Sequence, residues 1–240
     1  MKIINYENLR SFCYSNDKLI DGEIKGIAID FNGLGGQGMH KEHSRGDFFA
    51  KYGIIFINPY SNPWGWMNSE EVLLTDEILD VLFEKYNLDE KTPIASTGGS
   101  MGGQCALVYC AYAKRTPVTC VANCPVCDMP YHFTEREDLP RTIYSALRNE
   151  GLPFDEALIA RSPLHLACGA LPKINYHIFH CTADGAVNID AHSNKLTVLM
   201  EANGYKVTYD VVKDRGHCDL GIEATEKYYQ YIINDILNRA

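Results

Sequence analysis

Residues 92–103 of the chain read TPIASTGGSMGG, and this stretch decides the fold class. Its first half is rich in apolar and β-branched residues, which predicts a buried strand over residues 92–97. A helical pattern runs from Gln104 to about Lys114, so the glycine-rich residues in between must form the turn. The pattern Gly98-x-Ser100-x-Gly102 therefore predicts a sharp strand–turn–helix junction with Ser100 at its tip.

Strand and helix patterns alternate along most of the chain. Further strands are predicted at residues 23–31, 53–58, 117–123, 173–181 and 206–212. Further helices are predicted from Asn68 or Ser69 onward and over residues 188–202 and 225–237. This alternation indicates an α/β fold, in which a mostly parallel sheet is flanked by helices on both faces. Before residue 23 there is room for one or two short strands, near residues 3–6 and 10–14, so we expect a trimmed N-terminal edge.

Length and composition indicate a single domain over residues 1–240. The chain has 22 Lys and Arg against 31 Asp and Glu, which gives a formal net charge of −9. An acidic chain without clustered basic residues is not expected to bind nucleic acid or an anionic membrane. The longest uninterrupted apolar run, residues 105–113, is too short for a membrane-spanning helix.

The cellular compartment is inferred from the N-terminus and the cysteines. The chain begins MKIINYENLR, which lacks the apolar core of a signal peptide. Its 9 cysteines are odd in number and scattered, unlike the disulfide framework of a small secreted protein. We therefore expect reduced thiols and a cytoplasmic protein.

Residues 125–168 interrupt the alternation of strands and helices. The segment contains several prolines and two short helical patterns, but no predicted strand. It is too long for a plain connection between two core strands. We interpret it as a helical cap inserted over the carboxyl edge of the sheet, where open α/β sheets bind their ligands.

A nucleophilic role for Ser100 requires a base, since a serine hydroxyl is almost un-ionised at neutral pH, and the base requires an orienting acid. His217 follows the last predicted strand, and Asp184 follows the strand before it. Both side chains are therefore expected at the sheet edge that carries Ser100. The chain order of serine, acid and histidine is also the one found with this kind of junction. The competing acids are Asp128, Asp190 and Asp219.

An oxyanion formed by attack of Ser100 would need two backbone N–H donors. One is expected from Met101, at the start of the helix after the turn. The other is expected from the glycine-rich loop at residues 32–38, with Leu34 as the donor and Gly35 as its substitute. A phosphate cradle is the rival interpretation of this loop, but no convincing helix follows it.

These motifs make the sequence resemble the α/β-hydrolase superfamily. Gly-Gly-Ser-Met-Gly-Gly, together with the Asn-Gly loop, looks like the esterase and prolyl-oligopeptidase-like branches, and the resemblance covers about residues 24–237. It implies Ser100 as nucleophile, Asp184 as acid and His217 as base of a serine hydrolase that forms an acyl-enzyme with a small carboxylic ester. Amides and thioesters are alternative substrates for the same three residues. The resemblance implies neither a metal nor an organic cofactor.

Both tryptophans of the chain, Trp64 and Trp66, lie in the loop that leaves the second core strand toward the same edge. Their aromatic faces would stack on a sugar or an aryl group, which makes them candidate substrate-binding residues. The alternative is that they only pack this loop onto the core.

The cysteines offer a different class of function. Cys120-x-x-x-Cys124-x-x-Cys127 has the spacing of the iron–sulfur site in radical enzymes that use S-adenosylmethionine. Cys124, Cys127 and His132 form a candidate zinc site. Chance spacing among nine cysteines is the competing explanation for both patterns.

Two further alternatives keep the same fold. A binding protein without catalysis is one of them, although the presence of Ser100, Asp184 and His217 in the required places argues against it. A cysteine hydrolase that uses Cys218 is the other. It is disfavoured because Cys218 adjoins His217 and neighbouring side chains are expected to diverge.

Overall fold

The computed structural model describes residues 3–36, 38 and 43–238. In that part of the chain seven strands form one sheet in the order β1-β3-β2-β4-β5-β6-β7. The strands are β1 Cys13–Ser15, β2 Gly26–Phe31, β3 Ile54–Pro59, β4 Ile94–Gly99, β5 Thr119–Asn123, β6 Asn175–Cys181 and β7 Lys206–Val212. β1 pairs antiparallel with β3, and the other neighbouring strands are parallel.

The helices connect the strands in the alternating manner that the sequence predicts. They are α1 Ser44–Ala50, α2 Ser69–Tyr86, α3 Met101–Tyr112, α4 Met129–Glu135, α5 Leu139–Leu147, α6 Phe154–Ala160, α7 Pro163–Leu166, α8 Ser193–Ala202 and α9 Gly221–Leu237. Within the described residues, no helix combines the length and the apolar composition needed to cross a membrane.

The core lies on both faces of the sheet. Strands β2, β3 and β5 are buried along their whole length, as expected for parallel strands covered by helices on two sides. Side chains of α2, α3 and α8 fill one face, for example Leu107 and Leu196. Side chains of α1 and α9 fill the other, for example Phe49 and Ile232. The predicted α/β sheet with helices on both faces is therefore confirmed.

The start of α2 shows how the sequence sets a helix boundary. The Asn68 side chain accepts the backbone N–H of Glu71 at 3.0 Å and so caps the helix. Two glutamates in the first turn face the positive end of the helix dipole. The helix ends at Tyr86, and the next residue, Asn87, has the left-handed φ of +48° that is common after a helix. The helix start predicted at Asn68 or Ser69 is confirmed.

The N-terminal edge differs in detail from the prediction. No strand forms at residues 3–6 of the described chain, because the Asn5 side chain accepts the backbone N–H groups of Glu7 and Asn8 and turns the chain there. The strand predicted near residues 10–14 is shorter and lies later, at Cys13–Ser15. The edge of the sheet is trimmed, as expected.

Three helices begin at other positions than predicted. α9 starts earlier, at Gly221 instead of residue 225. α3 starts earlier, at Met101, because the chain enters the helix directly after Ser100. α8 starts later, at Ser193, because the Asn188 side chain accepts two of the following backbone N–H groups and holds a separate turn.

The segment between β5 and β6 contains the four helices α4, α5, α6 and α7, and no strand. Its first helix is capped by Asp128, whose side chain accepts the backbone N–H of Tyr131. Residues of α4 and α5 reach the carboxyl edge of the sheet, where Ser100 lies.

Candidate active site

Ser100 lies in the turn between β4 and α3 and has the unusual backbone angles φ +60° and ψ −125°. The turn is possible only because two glycines let backbone segments cross at close range. A Cβ atom at position 98 would lie 2.3 Å from the Gly102 carbonyl oxygen, and one at position 102 would lie 2.1 Å from the Phe31 carbonyl oxygen. A strained serine held at the tip of such a turn is typical of a nucleophile elbow.

Asp184 and His217 are brought together by the loops that follow β6 and β7. Asp184 Oδ2 lies 2.7 Å from His217 Nδ1. The other carboxylate oxygen accepts the backbone N–H groups of Ala186 and Val187, at 2.8 and 3.0 Å. The carboxylate is therefore held on both sides, and it fixes the orientation of the imidazole ring.

Ser100 and His217 line the same cleft, whose volume is about 680 Å³. No hydrogen bond joins the Ser100 hydroxyl to the His217 ring in the described structure. The neighbour of His217 Nε2 is instead the Cys218 sulfur, at 3.7 Å. One ring nitrogen of His217, Nδ1, thus faces Asp184, and the other, Nε2, faces the Cys218 thiol. Ser100 lines the same cleft.

The backbone donors predicted for an oxyanion lie beside Ser100. A Cβ at Gly33 would be 3.9 Å from Ser100 Cβ, so the glycine-rich loop passes close to the serine. The N–H groups of Leu34 and Met101 have no acceptor among the described residues. The N–H of Gly35, the predicted substitute, instead donates to the Pro63 carbonyl at 2.8 Å. Leu34 and Met101 are therefore the donors left free to bind a ligand.

Burial and hydrogen bonding set the charges of this group. Burial raises the pKa of Asp184, but its bonds with His180 and His217 outweigh this and hold it well below the usual range. Burial lowers the pKa of His217, yet the bond to Asp184 and the nearby Cys124 thiol raise it to about 9. The negative groups around the ring thus favour the imidazolium form.

The two nearby thiols are affected in opposite directions. Hydrogen bonds from Cys218 and His217 lower the pKa of Cys124 to about 5, despite its burial. The bond to Cys124, together with burial, raises the pKa of Cys218 far above its usual value. Of the two thiols, Cys124 is therefore the one whose charged form is favoured.

The acids that compete with Asp184 have other partners. Asp128 caps α4, Asp190 accepts a hydrogen bond from Asn194, and Asp219 pairs with Arg215. Among the described residues, only Asp184 of these four candidates is hydrogen-bonded to the His217 ring.

The two tryptophans occupy different places. Trp66 is buried, donates its ring N–H to the Thr142 hydroxyl at 3.2 Å and forms part of the cleft wall. Trp64 is 41% exposed and lines a separate groove, away from the cleft that holds Ser100. The loop brings only Trp66 to the candidate active site.

The cysteine triplet does not form a common site. Cys120 and Cys127 belong to the apolar cluster on one side of the sheet, whereas Cys124 belongs to the cluster on the other. In the described residues, no group able to hold a metal joins Cys124 to Cys127 or Cys120. The iron–sulfur alternative and the zinc alternative with His132 are therefore not supported, because Cys124 packs on the opposite side of the sheet from Cys120 and Cys127.

Sequence reasoning missed that Cys124 and Cys218 flank the candidate base. Both residues have left-handed backbone angles, with φ of +44° and +59°. The turn at Cys218 folds its side chain back toward its neighbour His217, which contradicts our expectation that the two side chains diverge. Only the position of Cys218 next to the predicted base could have indicated this contact from sequence.

His180 was also missed, since it lies inside a strand. Its ring is buried, and Nε2 lies 3.4 Å from Asp184 Oδ2. Its other nitrogen contacts the Ser193 hydroxyl at 2.7 Å. His180 therefore contacts the same Asp184 carboxylate that is hydrogen-bonded to His217.

No protein-family model and no curated protein matches the amino-acid sequence. Solved structures match the fold. An inhibited esterase B from Lactobacillus rhamnosis has a TM-score of 0.68 at 12% identity, with 89% of this chain and 78% of that one covered. An S-formylglutathione hydrolase from Agrobacterium tumefaciens has a TM-score of 0.69 at 13% identity, with 91% and 86% covered.

A larger protein shares the same architecture in part of its length. An acylaminoacyl peptidase from Pyrococcus horikoshii has a TM-score of 0.70 at 12% identity, with 88% of this chain but only 37% of that one covered. At such identities the likeness establishes the architecture. The sheet order, the Ser100 turn and these structural relatives together show that the chain has the α/β-hydrolase fold.

Proposed function

We propose that this chain is a serine hydrolase that cleaves a small carboxylic ester through an acyl-enzyme. Ser100 is the nucleophile, His217 the base and Asp184 the acid that orients it. The observation that carries the proposal is the 2.7 Å contact between Asp184 and His217, in a group that shares one cleft with the strained Ser100. The three residues are far apart in sequence and follow the ends of β4, β6 and β7, at one edge of the sheet.

The hydrogen bond to Asp184 decides which ring nitrogen does the chemistry. An ionised carboxylate only accepts, so His217 Nδ1 keeps its proton, and in the neutral ring that acts as the base the lone pair is on Nε2. Nε2 is then the atom that takes the proton of the Ser100 hydroxyl. The carboxylate stabilises the imidazolium that results, as in other serine hydrolases built on this principle.

The reaction divides into two acyl transfers. Ser100 Oγ attacks the ester carbonyl as its proton passes to His217, which gives a tetrahedral oxyanion. Collapse of this intermediate breaks the bond to the leaving alcohol, which takes the proton from His217. A water molecule then attacks the acyl-enzyme in the same way, and the acid is released as Ser100 regains its proton.

The backbone N–H groups of Leu34 and Met101 support the oxyanion in this scheme. Both are free of other acceptors in the described chain; Met101 directly follows Ser100, and Leu34 lines the same cleft as Ser100. Met101 is also the first residue of α3, where the helix dipole favours negative charge. Loss of one such donor typically raises the barrier by about 3 kcal/mol.

The step from Ser100 to His217 requires the two side chains to move into hydrogen-bond reach. Such bonds are often long in free enzymes and tighten when substrate fills the site. A substrate in the cleft would also displace Cys218 as the neighbour of Nε2. This rearrangement is part of the proposal.

The cleft suits a small ester. Its volume of about 680 Å³ lies within the usual range of small-molecule sites. Its lining includes the apolar side chains of Trp66, Leu139 and Val187, and Leu139 comes from the segment between β5 and β6. Either the acyl or the alcohol part of the ester would pack against these side chains.

A cysteine hydrolase is the rival interpretation. The Cys218 sulfur lies 3.7 Å from His217 Nε2, whereas the Ser100 hydroxyl makes no hydrogen bond with that ring in the described structure. Its raised pKa keeps Cys218 in the thiol form, which is a poor nucleophile. Cys218 also lacks the elbow that aims Ser100 into the cleft. We therefore assign the nucleophile to Ser100.

Ser100→Ala tests the assignment directly. We expect kcat/KM for a short-chain aryl ester to fall by at least about 10⁴-fold, because the acyl acceptor is lost. Ser145→Ala is the matched control, since Ser145 is an exposed serine of α5 outside the cleft, and it should keep full activity. Acetylated sugars and aminoacyl amides assayed in parallel would define the leaving group.

Mass spectrometry separates the two possible nucleophiles. After treatment with a fluorophosphonate, we expect one adduct on the peptide that contains Ser100, in the wild type and in Ser145→Ala. Ser100→Ala should not be labelled. Undiminished ester hydrolysis by Ser100→Ala, or an adduct on Cys218, would overturn the proposal.

A further inference from the structure

A cluster of three metal-binding side chains surrounds the nitrogen that the proposed reaction uses. Cys124 follows β5, while His217 and Cys218 lie in the loop after β7. Their ligand atoms, two sulfurs and Nε2, all lie within 4.8 Å of one another. The Cys218 sulfur is 3.7 Å from Nε2.

These distances suit a tetrahedral zinc ion. Zn–S bonds of about 2.3 Å and Zn–N bonds of about 2.0 Å place the ligand atoms roughly 3.5–3.8 Å apart. The observed contact between sulfur and nitrogen already falls in that interval. Two thiolates and one imidazole also favour zinc over calcium and magnesium, which prefer oxygen ligands.

The Asp184 contact prepares His217 to bind a metal. Since Nδ1 donates its proton to Asp184, the neutral ring has its lone pair on Nε2, the nitrogen that faces the Cys218 thiol. A carboxylate behind a histidine is the common outer partner of zinc-bound imidazoles, where it fixes the ring and raises its basicity. The pair that the proposed reaction needs is therefore also the pair that a zinc site needs.

The described residues contain two other groups that could hold a metal: Cys124 with His180 and Asp184, and His132 with Glu135 and His192. In both groups, hydrogen bonds already occupy histidine nitrogens that would have to bind the ion. His180 Nε2 lies 3.1 Å from the Val187 carbonyl oxygen, which only accepts, so this nitrogen carries a proton. His192 Nδ1 accepts the backbone N–H groups of Cys127 and Asp128, so its proton is on Nε2, where it is bonded to Glu135. Hydrogen bonds thus occupy the ring nitrogens that face these groups.

We propose that Cys124, His217 and Cys218 form a zinc site, and that zinc bound there is a reversible inhibitor of the hydrolase. Zinc binds both sulfurs as thiolates and His217 as the neutral ring, so any proton still held by a thiol or by Nε2 passes to water as the bonds form. The Zn–N bond uses the lone pair that would take the Ser100 proton. One position of the tetrahedral ion stays open for water. Inhibition rests on the proposed function, whereas binding of the ion does not.

The ion has a route to these ligands. His217 and Cys218 both line the cleft, and the His217 side chain is 28% exposed. Cys124 is buried beneath them and completes the site from the sheet side. The site is therefore reached through the entrance that the substrate would use.

Binding is measured without reference to activity. The full chain, purified with a reductant and freed of metal, is dialysed to equilibrium against Zn²⁺, and the bound metal is counted. We expect one zinc per chain, with an affinity more than about 100-fold lower for Cys124→Ser and Cys218→Ser. Cys168→Ser is the matched control, because Cys168 is an exposed cysteine away from the cleft, and its zinc affinity should be unchanged.

Cobalt supplies a spectroscopic signature of the ligands. Co²⁺ added to the metal-free chain should produce thiolate-to-cobalt charge-transfer absorption, which is lost in the two ligand variants. Circular dichroism of each variant checks the fold, and Cys218→Ala replaces Cys218→Ser if the latter is unfolded. Failure of the wild type to bind zinc, or equal binding by folded ligand variants, would refute the site.

Activity is measured on the same samples. Ester hydrolysis by the wild type should fall in proportion to the fraction of chains that hold zinc, and EDTA should restore it. Full activity with the site occupied would refute the inhibition. If the metal-free chain has no hydrolase activity, the proposed function fails, and the zinc and cobalt measurements alone decide whether the site exists.

Discussion

Glu71 is a carboxyl group buried near the start of α2, with only 4% of its surface exposed. Its Oε2 accepts the backbone N–H of Met67 at 2.9 Å, which ties the helix to the loop that carries Trp66. Burial raises the pKa of Glu71 to about 7, although its backbone hydrogen bonds act in the opposite direction. The folded chain therefore holds a proton that the unfolded chain releases at lower pH.

The shift makes stability depend on pH. Because the folded pKa exceeds the unfolded value of 4.5, the contribution of Glu71 is most favourable below pH 4.5 and is lost as the pH rises to about 7. The loss is on the order of 3 kcal/mol. We expect urea unfolding at pH 5 and pH 8 to show this loss in the wild type and not in Glu71→Gln.

The neighbouring glutamate provides the control for this measurement. Glu70 is exposed, so Glu70→Gln should keep the pH dependence of the wild type. If Glu71→Gln lost as much stability between the two pH values as the wild type, another group would be responsible.

Gly102 is a second residue whose role follows from local geometry. A Cβ there would lie 2.1 Å from the Phe31 carbonyl oxygen and 2.9 Å from that of Asn32, both backbone atoms that cannot rotate away. We expect Gly102→Ala to lower the free energy of unfolding by about 3 kcal/mol, as measured by chemical denaturation.

Gly185→Ala serves as the matched control for this substitution. No atom lies within 4 Å of a Cβ at position 185, so the change in stability should stay within about 0.5 kcal/mol. A stable Gly102→Ala would mean that the turn at Ser100 can relax without cost.

At the scale of elements, a buried ion pair holds the inserted helices to the core. Glu150, after α5, pairs with Arg161, after α6, and both side chains are less than 8% exposed. Glu150 also accepts the backbone N–H and the hydroxyl of Ser69, each at 2.9 Å, at the start of α2. The inserted segment is thus anchored to a core helix through charged hydrogen bonds.

Removing one charge of this pair should be costly. Glu150→Gln leaves Arg161 buried without its counter-charge, so we expect a loss of about 3 kcal/mol in the free energy of unfolding. The control is Asp138→Asn, which breaks an exposed pair with Arg136 and should cost less than about 1 kcal/mol. Equal effects of the two substitutions, measured by thermal or urea unfolding, would show that the buried pair does not anchor the segment.

A comparison of predicted and observed element positions shows which of them local sequence patterns can predict. The strands β4, β5, β6 and β7 lie close to their predicted positions, since runs of buried residues bounded by turns are a strong local signal. No strand forms at residues 3–6 of the described chain, and α8 starts later than predicted, because the side chains of Asn5 and Asn188 bind nearby backbone N–H groups. Such capping competes with regular structure over only a few residues and is hard to read from periodicity.

At the scale of the whole molecule, the sheet brings distant parts of the chain to one edge. Ser100, Asp184 and His217 were predicted to lie near each other only because parallel strands end on the same side. The structure joins Asp184 to His217 and places both near the Ser100 cleft, as the topology requires. The catalytic role of the three residues stays a prediction until the Ser100→Ala experiment is done.

The sequence by itself determined the α/β architecture, the Ser100 turn and the order of the candidate catalytic residues, because each depends on local patterns and on the direction of strands. The positions of Cys124 and Cys218 around His217 were decided only by the tertiary structure. So were the separation of Trp64 from the cleft and the separation of Cys124 from Cys120 and Cys127. These contacts depend on single backbone turns and on packing between residues remote in sequence, neither of which leaves a periodic trace in the chain.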